Sequence, residues 1–398
     1  MRILIFNETA DVTGGGRNQY VADVALRLRE AGQHVGLVHA RASRTRFKGT
    51  GYVFDALGYE ADGGPETRER LGAILNDFAP DVIQLHGMEN IALQPQLLEA
   101  APTVRFVHNH TLYCSGGAMT LGVPRRICTR RHGPACLRCH FVNRCGSWNP
   151  FANHAEYVRV SRMLESLRQL DGIQVASEVI LDNLVRNGIE RELITLLRLY
   201  APEPPAPRRR QLRTARRMLL HPGGLVRNKG VWMLLDIIDE LPADVELVFA
   251  GDGPERPKVE AHVRRRKLSA RVRVMGGLGA TEMSELYHQA MLVLFPSRWN
   301  EPVGLCGIQA MAHGKPVIAY EAGGVGSWLE DRVNGRVVPF DDKTEFLGVL
   351  RKLLQRPQHA RDMGRKGRRM WEQTFRPALH IENLLENYRQ IIAGRQRQ

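Results

Sequence analysis

Apolar and polar positions along this chain repeat one arrangement several times over. The opening stretch "MRILIFNETADVTGGGRNQYVADVALRLREAGQHVGLVHA" reads as an apolar run, a glycine-rich loop, an amphipathic helix and a second apolar run. Within it Val21, Val24, Ala25 and Leu28 recur at helical spacing, and Gly32 stands where a helix C-cap belongs. Apolar runs in "PDVIQLHG", "APTVRFVHNH" and "IQVAS" predict further short strands. Strands alternating with helices predict a parallel, doubly wound sheet.

The series breaks at "YAPEPPAPRRR", residues 200–210, which is proline-rich, aperiodic and reads as a linker. It then restarts. "RMLLHPGGLVRNKGVWMLLDIIDEL" is again strand, glycine turn and helix, and "VELVFAGDG", "VRVMGG", "MLVLFPS" and "PVIAYEAGG" continue the pattern. The expected fold class is therefore α/β, with two facing Rossmann-like domains built on parallel doubly wound sheets. The first spans 1–199 and includes a cysteine-rich segment over 114–145. A linker over 200–213 leads to a second domain over 214–375. A C-terminal helix over 376–398 is expected to pack across the domains, with Ile381, Leu384, Leu385, Tyr388, Ile391 and Ile392 on one side.

A length of 398 residues is too great for one ordinary core, in keeping with two domains. The 43% apolar and 25% charged content describes a soluble globular chain. No apolar run approaches the roughly 18–20 residues of a membrane span. The chain opens on a strand without the apolar core of a signal peptide, so a cytoplasmic location is expected. Net charge is +14, from 56 Lys+Arg against 42 Asp+Glu, which suits anionic partners. Solvated faces account for most of its arginine clusters, and no zinc-finger, RRM or KH signature points to nucleic acid. An anionic membrane surface, bound peripherally on the inner face, is the partner that charge suggests.

The glycine turns narrow the chemistry. The loop Gly14-Gly15-Gly16 fails the dinucleotide fingerprint, because Gln19 occupies the third glycine position and no acidic residue follows the second strand near His39. No P-loop sequence occurs either. In the second half, "GGLVRNKG" places Gly223, Gly224 and Lys229 at a strand-to-helix turn, where a lysine can neutralise phosphate. "EPVGLCGIQA", "AGDGP" and "EAGG" sit at matching strand ends. Together they outline one phosphate-and-sugar site along one sheet edge.

These motifs resemble the retaining glycosyltransferases of family 4, which have the GT-B fold. Their donor-site pieces are G-R-L-x-x-x-K-G, G-D-G-P and E-P-x-G-L-x-x-x-E-A. The chain shows "GGLVRNKG", "GDGP" and "EPVGLCGIQA" in that order, and "HNHTLYC" where relatives often read H-D-x-x-x-x-C. The resemblance implies a retaining transfer of sugar from a UDP-, GDP- or ADP-linked donor to a glycan, lipid-linked or small-molecule acceptor, with no cofactor required for catalysis. It implies that Lys229 binds the diphosphate and that Glu301, with the amides of Gly304 and Leu305, holds sugar hydroxyls. Position 309 would hold the ribose diol, His108 would lie beside the transferred sugar, and Gly15 and Gly16 would shape the phosphate and acceptor loop. Two positions depart from the pattern: Gly224 replaces an arginine, for which Arg227 is a candidate substitute, and Gln309 replaces a glutamate. These departures motivate an alternative, a catalytically silent GT-B protein that binds nucleotide sugar or glycan as a regulator or partner subunit. A basic nucleic-acid or membrane adaptor is a further alternative, supported by charge alone.

Retaining glycosidases use two carboxyl groups roughly 5–5.5 Å apart. No such pair is evident in the N-terminal half, and no Asp-x-Asp motif exists to bridge a metal to a diphosphate. In the family the leaving phosphate is thought to deprotonate the acceptor, leaving the protein to position and neutralise. A separate feature is the cysteine cluster. Cys128, Cys136, Cys139 and Cys145, with His110, His132 and His140 nearby, are candidate ligands for a structural zinc. Free buried thiols and a redox role stand as alternatives, since the spacing fits no standard finger.

Overall fold

A computed structural model describes residues 1–9, 16–40, 49–206 and 216–396. The chain divides into two compact units. Unit 1 comprises Met1–Val123, Thr129–Arg198 and Ala378–Gln398. Its sheet contains β1 (Arg2–Phe6), β2 (His34–His39), β3 (Thr50–Val53), β4 (Val82–Leu85), β5 (Thr103–Val107), β6 (Gly172–Val175) and β7 (Ile194–Leu196). Their order is β3-β2-β1-β4-β5-β6-β7, and the pairings are parallel. Ile3 pairs with Val35 on one side and Val82 on the other, so β1 is central and Ile3 to Phe6 are fully buried. A strand enclosed on both faces has no polar side, which is why its residues form an unbroken apolar run.

The helix Pro377–Arg395 lies on this sheet with Ile381, Leu384, Leu385 and Tyr388 buried, four of the six positions of the stripe its sequence predicts, while Ile391 and Ile392 are half-buried. Polar rungs fix it in place. Tyr388 Oη donates to Gln84 Oε1 on β4 (2.8 Å), Gln174 Nε2 on β6 donates to Asn387 Oδ1 (2.7 Å), and Asn387 Nδ2 donates to Thr195 Oγ1 on β7 (2.9 Å). Such bonds add about 0.5–1.5 kcal/mol each and fix the register of an otherwise slippery apolar contact.

Unit 2 comprises Pro124–Cys128 and Leu199–Pro377. Its strands are β8 (Arg217–Pro222), β9 (Val245–Ala250), β10 (Val272–Val274), β11 (Leu292–Phe295), β12 (Val317–Tyr320) and β13 (Gly335–Val338). They run parallel in the order β10-β9-β8-β11-β12-β13, the doubly wound order of a Rossmann sheet. The winding reverses between β8 and β11. Part of the stretch read as a linker is pinned to this unit. Trp371 Nε1 donates to Ala201 O (3.1 Å), Ala201 N donates to Phe375 O (3.2 Å), and His288 Nε2 lies 3.0 Å from Pro205 O.

Candidate functional site

A doubly wound sheet binds ligands beyond the carboxyl ends of its strands where the winding reverses. In unit 2 that place is flanked by residues 223–230 after β8 and 296–304 after β11. Each loop is stitched to a second one. Gly223 N donates to Ala250 O and Leu225 N to Asp252 O, both at 2.9 Å. Gly251 has φ +154°, and a Cβ there would stand 2.0 Å from Gly223 O, so only glycine lets "GGLVRNKG" and "GDGP" approach this closely. On the other side Gly324 N donates to Glu301 O (2.6 Å), joining "EAGG" to "NEPVG". A bond from Arg298 N to Asn228 O (2.6 Å) links the two pairs. The four turns singled out in the sequence thus form one connected frame.

Inside that frame Lys229 and Glu301 form an ion pair through Nζ and Oε1. The same Oε1 accepts from Ser297 Oγ and from Trp299 Nε1, the latter at 2.6 Å. Glu301 is only 2% exposed. A carboxylate so enclosed needs these donors, because an uncompensated buried charge is costly. The Lys229 ammonium also lies 5.3 Å from the ring centroids of Phe295 and Trp299, within cation–π reach. Ser297, Trp299 and the rings were invisible to motif reading. The available signal was a cluster of polar and aromatic residues directly after a buried strand, in "LFPSRWNE".

The remaining candidates occupy the same rim. Gly304, at φ +93°, caps the helix Leu305–Ala312, and a Cβ there would press on the Phe295 ring at 3.1 Å. Leu305 begins that helix and is half-buried. Gln309 lies one turn further on. Its Oε1 accepts from Tyr287 Oη (3.2 Å), which also donates to Cys306 O (3.0 Å). Arg227 is exposed on the same 3-10 turn as Lys229. The backbone of Gly224 does not demand glycine, since a Cβ there would make only ordinary contact with Asp252 O at 3.5 Å. His221, the last residue but one of β8, is buried with Nδ1 on Leu294 O (3.0 Å) and no partner for Nε2 among the described residues. Burial lowers its pKa to about 4, so it is neutral and presents an acceptor at Nε2.

In unit 1 the winding reverses between β1 and β4, and histidines follow β4 and β5. His86 Nδ1 lies 2.8 Å from His108 Nε2. Phe106 stacks on His108 at 4.6 Å between centroids, and Tyr20 meets both imidazoles edge-on at 5.4 and 5.8 Å. Burial, followed by repulsion from Arg17 and Arg105, lowers the His108 pKa to about 3. Burial and the neighbouring His108 push His86 well down as well. Both rings are neutral near pH 7, so one donates and the other accepts. His86 Nε2 is buried without a partner among the described residues. A bare nitrogen is tolerated there better than a stranded N–H, which makes His86 Nδ1–H the donor and leaves His108 its proton on Nδ1. Gly16 begins the helix Gly16–Glu30 and is exposed, while Gly15 lies outside the described residues.

For the candidate zinc ligands Cys128, Cys136, Cys139 and Cys145, no three of His, Cys, Asp and Glu among the described residues form a group that could hold a metal ion. Neighbouring donors are committed elsewhere: Arg130 Nη1 donates to Cys139 Sγ (2.9 Å), His140 Nε2 lies 3.0 Å from Ser115 Oγ, and His132 Nε2 lies 2.9 Å from Ser161 Oγ. Cys136 and Cys139 share one helix, Ala135–Val142.

Residues 204–370 match the family described as Glycosyl transferases group 1. Among known proteins, the chain is 31% identical over 146 residues to alpha-D-kanosaminyltransferase of Streptomyces kanamyceticus, covering 36% of this chain and 38% of that one. It is 24% identical over 327 residues to alpha-maltose-1-phosphate synthase of Mycolicibacterium smegmatis, covering 75% and 82%. The match to the Mycobacterium tuberculosis synthase of the same name spans 57% of that protein, so the chain spans about half the length or less of several curated relatives it matches. Among solved structures, sucrose-phosphate synthase of Thermosynechococcus elongatus superposes with a TM-score of 0.75 at 20% identity, covering 98% of this chain and 99% of the other. Anabaena HepE, solved with UDP and glucose, gives 0.73 at 18%, covering 97% and 99%. The chain therefore has the GT-B fold, and its second half matches the group 1 glycosyltransferases.

Proposed function

We propose that this chain is a family 4 glycosyltransferase that moves a sugar from a nucleotide-diphosphate donor, with retention, to a sugar or lipid-linked acceptor in glycan assembly. The observation that carries this reading is the frame at the winding reversal of unit 2, where Lys229 and the buried Glu301 meet. The ammonium of Lys229 neutralises the departing diphosphate, assisted by exposed Arg227 in place of the arginine missing at Gly224. Glu301 has one oxygen saturated by three donors. Its second oxygen accepts hydroxyl protons of the sugar. The neutral His108, oriented by His86, donates from Nδ1 on the acceptor side. The relatives support this reading by their names, and the UDP bound in HepE favours a uridine donor. A thermal-shift screen of nucleotide sugars tests it, followed by donor hydrolysis with the ligands that bind. A ligand specific to the folded state at 100 times its Kd adds about 2.7 kcal/mol of stability. No shift with any UDP-, GDP- or ADP-linked sugar refutes the donor site.

A silent binder is the second reading, because Gln309 stands where the family has glutamate and its carbonyl already receives Tyr287 Oη. The two readings divide on Gln309. A carboxylate could take Tyr287 on one oxygen and a ribose hydroxyl on the other, whereas the amide must meet the ribose through its NH₂. Charged hydrogen bonds exceed neutral ones by about 1 kcal/mol, or about fivefold in affinity. Gln309→Glu is expected to keep or raise donor affinity and turnover by up to about that factor, and Gln309→Ala to lower both. Equal loss in the two variants means a pocket built around the amide. Binding of donor without hydrolysis or transfer in the wild type and both variants establishes the silent binder.

A further inference from the structure

The segment between Ala100 and Ala155 contains no aspartate or glutamate, while seven arginines fall in it: Arg105, Arg125, Arg126, Arg130, Arg131, Arg138 and Arg144. Such a gap is uncommon in a chain with 42 acidic residues, and all but one of these arginines are exposed. The same stretch carries large apolar side chains in water. Phe141 is 38% exposed, Val142 60%, Trp148 63% and Phe151 85%. They follow one another over eleven positions, at the end of the helix Ala135–Val142 and the start of the helix Pro150–Leu167, all within unit 1.

This tip is held rather than loose. Asn149 caps the second helix, its side chain accepting from Phe151 N (2.9 Å) and Ala152 N (3.3 Å), which fixes Trp148 and Phe151 on either side of the cap. The Arg144 guanidinium stands 5.4 Å from the Trp148 ring centroid. Single exposed apolar residues are ordinary, but four within eleven positions, on a stretch with several exposed arginines and no acidic residue before Glu156, mark an interaction surface. The Phe151 side chain, 85% exposed, stands in water and does not line a groove that could enclose a base or a peptide. Exposed Trp, Phe and Val on a stretch that also carries exposed arginines, with Arg144 beside the Trp148 ring, match the headgroup layer of an anionic bilayer, where aromatic rings lie among glycerol groups and guanidinium groups meet phosphate. No helix among the described residues is long and apolar enough to span a membrane.

We propose that the tip from Phe141 to Phe151 docks the protein on an anionic lipid bilayer. The test is cosedimentation of the full chain with vesicles of phosphatidylcholine alone or with added phosphatidylglycerol, at low and high salt. Binding to the anionic vesicles at low salt, weakened by salt, is expected. The pair Trp148→Ser and Phe151→Ser should lower partitioning by about tenfold or more, through lost apolar burial. Arg138→Gln and Arg144→Gln should each lower it about fivefold at low salt. Because these side chains are exposed, the melting temperature and the response to nucleotide sugars should not change, so this test stands or falls apart from the proposed transfer activity. Absence of binding to anionic vesicles at low salt overturns the proposal, as does binding that the Trp148 and Phe151 substitutions leave intact. Retention on a single-stranded oligonucleotide but not on vesicles assigns the surface to nucleic acid instead.

Discussion

Lys229→Ala should lower donor turnover about 10- to 150-fold, the equivalent of the 1.5–3 kcal/mol of one charge-assisted hydrogen bond. Two effects add in this variant. The diphosphate loses its cation, and Glu301, at 2% exposure, loses the charge that compensates it. The second effect acts on the empty protein and the first only on the complex, so a melting curve separates them. Lys229→Arg keeps the charge but changes its shape, since a planar guanidinium cannot reproduce a point charge set between Phe295 and Trp299. It should retain stability better than Lys229→Ala while recovering only part of the turnover. Turnover within about twofold of wild type in Lys229→Ala would remove the diphosphate from this position.

Much of this frame was legible because its causes are local. An unbroken apolar run such as "ILIF" or "LVLF" has few options but a strand covered on both faces, and glycines directly after such runs mark backbone that must turn or approach closely. Gly251 illustrates the limit. The sequence places it at a strand end, but its closeness to Gly223 O depends on β8 and β9 being neighbours. Sheet order is set by packing of distant segments and leaves little local trace. For the same reason Tyr287, the partner of Gln309, and His86, the partner of His108, escaped notice. Each lies 22 positions from the residue it holds. The apolar stripe of the last helix was readable, but Asn387 and Tyr388 fix its register through polar bonds to β4, β6 and β7, which a count of apolar positions misses.

The cysteine segment shows the same dependence on distant segments. Two cysteines three apart lie on one side of any helix, so C-x2-C arises wherever a helix has a small-residue face, with or without a metal. A ligand set requires a third and fourth donor brought from elsewhere, and here the histidines of the segment bond to Ser115 and Ser161 instead. The more informative property of this region was an absence in the composition, the missing acidic residues, which gains meaning only beside the exposed rings of Trp148 and Phe151.

The largest effect on stability is expected from Glu301→Ala. It strands the Lys229 ammonium, Ser297 Oγ and Trp299 Nε1 around an empty space, and breaking a buried pair by removing one partner costs about 3–5 kcal/mol. Glu301→Gln is milder, because its carbonyl can still accept from Ser297 and Trp299 while the lysine loses its counter-charge. The decisive comparison is the cycle with Lys229. If the two charges stabilise the fold mainly through each other, Lys229→Ala combined with Glu301→Ala should be less destabilised than the sum of the single variants, by about 0.5–3 kcal/mol in urea unfolding. Additivity within about 0.5 kcal/mol would mean that the pair contributes nothing as a pair. Transfer should behave in the opposite way. The double variant regains stability but lacks both the cation for the diphosphate and the acceptor for the sugar hydroxyls, so its turnover should fall at or below that of the weaker single variant. Recovery of turnover together with stability would show that Lys229 and Glu301 only brace the loops, and the donor site would then have to be built from other residues.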